Sequence, residues 1–395
     1  MLIRLSMCCA FLFYCIGVPA AEPWKLHTID RASRGADGVR LADFDRDGKL
    51  DIVTGWEEGG RIRVCFQPDA KKVAELWPAV EVGEVKSPED AVGVDVNGDG
   101  WLDVVSCCEG KERAIYFHLN PGGFPVAGSG GSAAILQREK WTTQQVEASE
   151  NVTCWMFCCP LDPTSLVFGS KEPSGQISLF DLPSRSFQKL RDAGWVMSLR
   201  AIDLDEDGDL DIVYSDRKGK RCGVGWLEKL PDNKWADHDI GGQGLEVMFL
   251  DVVKIDGRWV IACNTRNEHV MILSSGEDVT KPWDLRRVQH PPQSGAGKGV
   301  AISDLNGDGQ FDLVCTSGLA KGKCGAYWLE GSVGGSVSVT DGESWAFHDI
   351  SGTEIGEKFD RIELLDIDAD GDLDLLTCEE RSNLGVIWYE NPRLR

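Results

Sequence analysis

Asp43-Phe44-Asp45-Arg46-Asp47-Gly48-Lys49-Leu50-Asp51 runs straight into Ile52-Val53-Thr54, and this nine-residue pattern, D-x-[DN]-x-D-G-x-x-D, occurs five times in 395 residues. The first position is Asp43, Asp95, Asp203, Asp304 or Asp366, and the third is Asp45, Asn97, Asp205, Asn306 or Asp368. The fifth is Asp47, Asp99, Asp207, Asp308 or Asp370, and the ninth Asp51, Asp103, Asp211, Asp312 or Asp374. Calcium takes six to eight oxygens, and alternate acid or amide side chains ahead of a glycine turn supply them in a short loop. Position six is glycine in every copy, where the backbone must bend sharply. Position seven varies (Lys49, Trp101, Asp209, Gln310, Asp372), as expected if only its carbonyl reaches the ion. Position eight is Leu50, Leu102, Leu210, Phe311 or Leu373, which reads as an apolar plug into the core. About five structural calcium ions are expected.

The motif is not an EF-hand, which needs a bidentate Glu at position twelve and flanking helices. Position twelve from Asp43 is Thr54, and every copy leads into an apolar, strand-like run. Successive first aspartates lie 52, 108, 101 and 62 residues apart, so two doubled intervals each hide a unit without a metal loop. Residues 152–183 and 245–275 supply those units, with short turns at Asp162-Pro163 and Asp256-Gly257. Seven units of four strands result, with A before the loop and B after it. C is a strand such as Val224 to Glu228, and D a strand such as Trp235 to Ile240. The chain ends after a C strand, Val386 to Glu390, and opens with an unattached D strand, Trp24 to Ile29. Lending the first strand to the last unit closes a ring and hides its edges. The expected fold is all-β: a seven-bladed β-propeller over residues 22–395, its N-terminal strand closing the last blade. His27, His238 and His348 read as packing residues of outer strands.

Net charge is −23, and eighteen of the acids occupy calcium positions, so five calcium ions would leave about −13. A polyanion such as nucleic acid is not an expected partner. Residues 1–20 read as a secretory signal, with Arg4 as the positive flank, a mostly apolar run over 7–18, and Val18-Pro19-Ala20 as the cleavage site. That run is too short for a membrane span, and no other stretch approaches one. The expected location is secreted or periplasmic. Three of the 14 cysteines fall in the signal. The rest are read mostly as small buried hydrophobes with free thiols.

If the metal loops join A to B on one face, the B–C and D–A loops surround the mouth of the central channel on the other. The B–C loops carry Trp56-Glu57-Glu58, Glu109 to Arg113, Lys171-Glu172, Asp216-Arg217-Lys218, Asn264 to Asn267 and Glu379-Glu380-Arg381. The D–A loops add Asp37, Glu89, Trp155, Trp195, Lys298 and Asp360. Tryptophan rings beside carboxylates, lysine and guanidinium groups suit a sugar or glycan fragment, with rings on its CH faces and charges on its hydroxyls. Solvated surface loops are the bland alternative.

The repeats resemble the FG-GAP/VCBS family of calcium-loop propellers, which serves adhesion, binding and catalysis alike. Several strings are also similar to the propeller domain of aldos-2-ulose dehydratase and its bacterial relatives. They are Arg34-Gly35-Ala36-Asp37-Gly38-Val39, Thr54 to Glu58, Cys108-Glu109-Gly110, Gly194 to Leu199, Ser215 to Gly219, Glu246 to Leu250 and Thr377 to Glu380. The match includes none of the cupin domains that follow the ring in the fungal enzyme. This resemblance implies elimination of water from a keto-sugar. Elimination needs a base at the Cα–H, an acid for the leaving hydroxyl and a cation on the enolate. Glu57, Glu58, Glu109, Glu379 and Glu380 are candidate bases, with Asp216 a further catalytic acid. Arg113, Arg217, Lys218, Arg266 and Arg381 are candidate enolate stabilisers. His269 is a candidate acid or ligand of a second metal at the mouth, or a packed histidine. No phosphate loop, nucleophile elbow or HExxH is present. A non-catalytic propeller that binds glycan or protein on this face is the second hypothesis.

Overall fold

The computed structural model describes residues 22–123, 134–331 and 345–392. The proposed leader, residues 1–20, lies outside them. β1 (Lys25–Asp30) comes first. Blade 1 is β2 (Ala36–Ala42), β3 (Asp51–Trp56), β4 (Arg61–Cys65) and β5 (Ala79–Glu84). Blade 2 is β6 (Pro88–Val94), β7 (Asp103–Cys108), β8 (Ile115–Leu119) and β9 (Thr142–Gln145). Blade 3 is β10 (Cys154–Asp162), β11 (Ser165–Lys171), β12 (Gln176–Asp181) and β13 (Ser186–Asp192). Blade 4 is β14 (Val196–Ile202), β15 (Asp211–Asp216), β16 (Gly223–Leu230) and β17 (Lys234–Gly241). Blade 5 is β18 (Val247–Ile255), β19 (Arg258–Thr265), β20 (His269–Ser274) and β21 (Asp284–Gln289). Blade 6 is β22 (Ala296–Ser303), β23 (Asp312–Gly318), β24 (Ala326–Glu330) and β25 (Ala346–Asp349). Blade 7 is β26 (Phe359–Leu365), β27 (Asp374–Glu379) and β28 (Gly385–Glu390), with β1 as its outer strand.

Each blade is an antiparallel sheet with its strands in sequence order, except that β1 pairs β28 in the register Lys25↔Glu390, Leu26↔Tyr389, His27↔Trp388. The protein is thus a seven-bladed β-propeller closed by its N-terminal strand. The Trp24 N–H donates to the Ile350 carbonyl at 2.9 Å, and its ring is buried between blades 6 and 7. Facing blades cover both sides of the B strands, so β3, β7, β15, β23 and β27 are buried along their whole length. Outer strands such as β9 and β21 are mostly exposed.

Position eight is at the surface in two loops, where Leu50 is 37% exposed and Leu210 38%, and a partial plug in the other three, where Leu102, Phe311 and Leu373 are half-buried against the core. The side chain at position two enters the core in every copy, as Phe44, Val96, Leu204, Leu305 and Ile367, all buried. Its backbone N–H donates to the ninth-position aspartate, as from Phe44 to Asp51 at 3.0 Å and from Ile367 to Asp374 at 3.0 Å. The other oxygen of that aspartate accepts an N–H from the end of strand C, Gln67 for Asp51 and Asn391 for Asp374. The turn is therefore pinned at its start, which holds position two inward in all five loops and leaves position eight at the surface in blades 1 and 4. Blades 3 and 5 replace the loop with tight turns. In blade 5 Asp256 (φ 49°) and Gly257 (φ 81°) adopt the left-handed pair that a two-residue hairpin requires. Among the described residues eleven cysteines are free thiols, ten of them buried, and no helix is long and apolar enough to cross a membrane.

Candidate functional site

The B–C and D–A loops converge on a cavity of about 310 Å³ at one end of the channel. Its floor is apolar. Met197 and Met248 line it and pack with Met156, Phe157 and Phe249, the two phenylalanines edge to face at 5.6 Å between centroids. Beneath them Arg361 lies 5.3 Å from the Phe249 ring, and Arg40 forms a two-pronged bond to buried Asp90 (2.9 and 2.7 Å). Burial and the charges of Arg40 and Arg200 pull the Arg361 guanidinium down to about 9.

The walls are electrically divided. The four lining acids, Asp37, Glu57, Glu89 and Glu109, all belong to blades 1 and 2. The six lining cations, Lys171, Arg217, Arg266, Lys298, Lys358 and Arg381, come from blades 3 to 7. The ends of the basic arc touch the acidic wall: Lys171 pairs with Glu109, and Lys358 pairs with Glu380 beside Asp37. Asp37 is 6% exposed, and among the described residues its carboxylate makes no hydrogen bond or ion pair. Burial, opposed by Lys358, pushes its carboxyl up to about 7. Glu57 is raised by burial and by Glu109, and Glu89 well raised by burial, Asp37 and Glu109. Oxygens of Asp37, Glu57 and Glu380 come within 4.8 Å of one another, as do those of Glu57, Glu89 and Glu109, a spacing that could hold a cation.

Several residues expected here have other work. Trp56 and Trp155 are fully buried in the packing between blades, and the Trp155 indole N–H donates to Ser149 O at 2.9 Å. Trp56 is the last residue of β3 and Trp155 the second of β10, so both do have a strand to pack from. Only Trp195 lines the cavity, with Arg217, Lys171 and Lys218 at 4.3, 4.4 and 4.8 Å from its ring. Glu379 is 0% exposed and unsuited to be a base. One oxygen accepts N–H bonds from Glu357, Lys358, Arg381 and Ser382, and the other one from Leu384. Asp216 closes β15 in the same way, accepting from Gly194, Trp195 and Arg191. Both brace the loops that carry the lining residues.

Glu58 is exposed and pairs with Arg34 at 3.0 Å, Arg113 donates to the Gly110 carbonyl at 3.3 Å, and Lys218 is exposed. None of the three lines the cavity. Asp360 is buried in an ion pair with Lys298 at 2.7 Å. His269 is buried at the start of β20, outside the lining, with burial lowering its affinity for a proton. Sequence reasoning placed Lys171 at the mouth without giving it a role, included Met197 and Met248 only within longer strings, and passed over Lys358. The signal for Lys358 was available, since it stands two residues before Asp360 in a D–A loop.

At the opposite face the five loops share one geometry. The glycine at position six donates its N–H to the first aspartate, from Gly48 to Asp43, Gly100 to Asp95, Gly208 to Asp203, Gly309 to Asp304 and Gly371 to Asp366. Position seven donates to position five, as from Lys49 to Asp47, Trp101 to Asp99 and Asp209 to Asp207. Carboxylate oxygens of Asp43, Asp45 and Asp51 lie within 4.8 Å of one another, as do those of Asp203, Asp205 and Asp207, and of Asp366, Asp368 and Asp374. The buried Asp203 Oδ1 has no hydrogen-bond partner. Burial raises Asp51, Asp211 and Asp374 to about 7, and Asp103 and Asp312 to about 6. Oxygens crowded this closely fit a divalent cation.

Fold and site together define a seven-bladed β-propeller with a polarised cavity at one mouth of its channel. Solved propellers share the fold at 10–11% identity. Sqt1 from Saccharomyces cerevisiae aligns with a TM-score of 0.53, 11% identity, 94% of this chain and 100% of that one. YCF48 from Cyanidioschyzon merolae aligns with a TM-score of 0.56, 10% identity, 93% of this chain and 98% of that one. No protein-family model matches the chain, and no curated protein is similar to it in sequence.

Proposed function

We propose that the protein is an exported, calcium-stabilised propeller whose channel mouth binds a keto-sugar and eliminates water from it. The observation that carries this reading is the division of the cavity into an acidic wall holding the unpartnered Asp37 and a basic arc facing it. A carboxyl that titrates near neutrality is suited to proton transfer at working pH. In the reaction, the Asp37 carboxylate takes the proton α to the carbonyl. The C–H electron pair passes into an enolate, whose oxygen carries the negative charge against Lys298, Arg217 or Lys358. The enolate then collapses to the ketone: its electrons form the Cα=Cβ bond as the Cβ–O bond breaks, and protonated Glu57 or Glu89 gives its proton to the departing hydroxyl, which leaves as water. A floor of Met197 and Met248 would receive the sugar's CH edge. Arg217 and Lys171 already cover Trp195, so stacking on that ring requires one of them to move.

Incubation with a panel of keto-sugars, followed by ultraviolet absorbance of the enone product, tests the reading. Absorbance growth that disappears in Asp37→Asn supports it. Calorimetric sugar binding without turnover would leave a binding propeller, and neither binding nor turnover across the panel would end the carbohydrate reading. Calcium has its own test. Chelation should lower the melting temperature and added calcium restore it, because an ion that binds only the folded chain stabilises it by mass action.

A further inference from the structure

The basic arc of the cavity carries more positive charge than neighbouring acids take up. Four of the six lining cations meet a carboxylate: Lys171 with Glu109, Arg217 with Glu246 at 2.9 Å, Lys298 with Asp360 at 2.7 Å, and Lys358 with Glu380. Arg266 and Arg381 line the same cavity, and among the described residues neither guanidinium makes a hydrogen bond or ion pair. Arg381 is exposed and needs no partner but water. Arg266 is half-buried in the wall. The molecule as a whole carries a formal −23 and repels anions at long range, so this local excess does not follow from composition.

The backbone of Arg266 is clamped on both sides where it follows β19. Its N–H donates to the Glu246 carbonyl at 3.0 Å, and its carbonyl accepts from the Gly297 N–H at 2.9 Å. The Glu246 carboxylate feels the charge of Arg266, yet its contacting oxygen is taken by the Arg217 fork at 2.9 and 3.1 Å. Next to Arg266 the wall continues as Ala296 and Gly297, which carry at most a methyl group. Blade 5, which supplies Arg266, stands across the ring from blades 1 and 2, which supply the four lining acids. A charge drawn out of water without a counter-charge is costly, so this place is stabilised when an anion arrives.

We propose that the sugar taken at this mouth is a keto-sugar acid, and that its carboxylate docks on Arg266. The inference rests on the keto-sugar reading of the cavity and narrows it. In that reaction Lys298, Arg217 or Lys358 meets the enolate, which leaves Arg266 for a group at the other end of the sugar. A guanidinium offers two parallel N–H donors that match a carboxylate. One unpaired guanidinium within the wall balances a single negative charge. That favours a carboxylate over a phosphate dianion in a cavity that also holds four acids. Arg266 is thus a specificity residue, set apart from the proton transfers on the acidic wall.

Matched pairs test this on the full chain, each a neutral hexulose set against the acid that carries a carboxylate at the end away from the keto group. Calorimetric Kd and kcat/KM from enone absorbance should both favour the acid by about tenfold or more. Arg266→Met should bring the acid-to-neutral ratio to near one, and Arg266→Lys should restore part of it. The ratio is read within one variant, so a general loss of folding or turnover cancels, and the parent's own preference needs no variant at all. Equal treatment of both members of each pair, a preference for sugar phosphates, or an acid preference that survives Arg266→Met would overturn this inference and leave the elimination reading standing. Acids bound through Arg266 without turnover would end the elimination reading and support this one. Neither acids nor neutral sugars bound or turned over would end both.

Discussion

Asp37 and Glu379 are both acids at the channel mouth, and their surroundings give them opposite roles. Asp37 is held near 7 by burial, so the folded protein keeps its proton up to a pH where the unfolded chain has lost it. Its contribution to stability therefore falls as pH rises from about 4 to 7, and Asp37→Asn should flatten that slope in thermal melts. Sugar binding or turnover that uses the carboxylate should rise between pH 6 and 8 and lose that dependence in the variant. Glu379 spends both oxygens on five backbone N–H groups at 0% exposure. A glutamine there would turn an amide N–H₂ toward N–H donors. Glu379→Gln should cost roughly 1.5–3 kcal/mol or more, read from chemical denaturation. A variant as stable as the parent would return Glu379 to the list of possible bases.

The A–loop–B hairpin is the element that recurs. Its loop is fixed by side chain to backbone bonds: position one to the position-six N–H, position five to position seven, and position nine to position two and to strand C. This network makes the second residue, not the eighth, the anchor. Phe44→Ala should destabilise the protein by about 3–5 kcal/mol, as for a large core truncation. Leu50→Ala should change stability by less than about 0.5 kcal/mol, as for an exposed site. Equal effects in denaturant titrations would show that the loop docks otherwise. The D–A and B–C loops lack any such common frame. In blades 4 and 7 a buried acid at the end of strand B gathers their N–H groups; in blades 1 and 2 that place is taken by Trp56 and Cys108, and the acid one residue later, Glu57 or Glu109, faces the cavity.

The ring as a whole depends on β1. Deleting residues 22–31 removes the partner of β28 along Val386 to Glu390 and the buried Trp24 anchor between blades 6 and 7. The bare edge then offers unpaired N–H and C=O groups to another chain. Aggregation or loss of the folded monomer is expected by size-exclusion chromatography. A truncated chain that stays monomeric and melts at the same temperature would mean that blade 7 closes without β1.

Blade number, strand order and the closing strand were legible in the residues, because they follow from local rules: a turn with a required glycine, alternation in the strands, and a spare D strand at one end matched by a gap at the other. The doubled spacings from Asp95 to Asp203 and from Asp203 to Asp304 were enough to find the two blades without metal loops. The loops around the mouth were legible only as a set. Whether Glu57 or Glu379 faces the cavity depends on which backbone N–H groups the D–A and B–C loops fold back within reach. Whether Trp195 or Trp155 is free depends on how neighbouring sheets pack. Sequence by itself determined the ring, since hydrogen bonding and alternation act within a few residues. Tertiary structure alone decided the site, since burial and the pairing of polar groups are set by segments far apart in the chain, as at the mouth where the Asn383 side chain caps the Gly35 N–H across 348 residues.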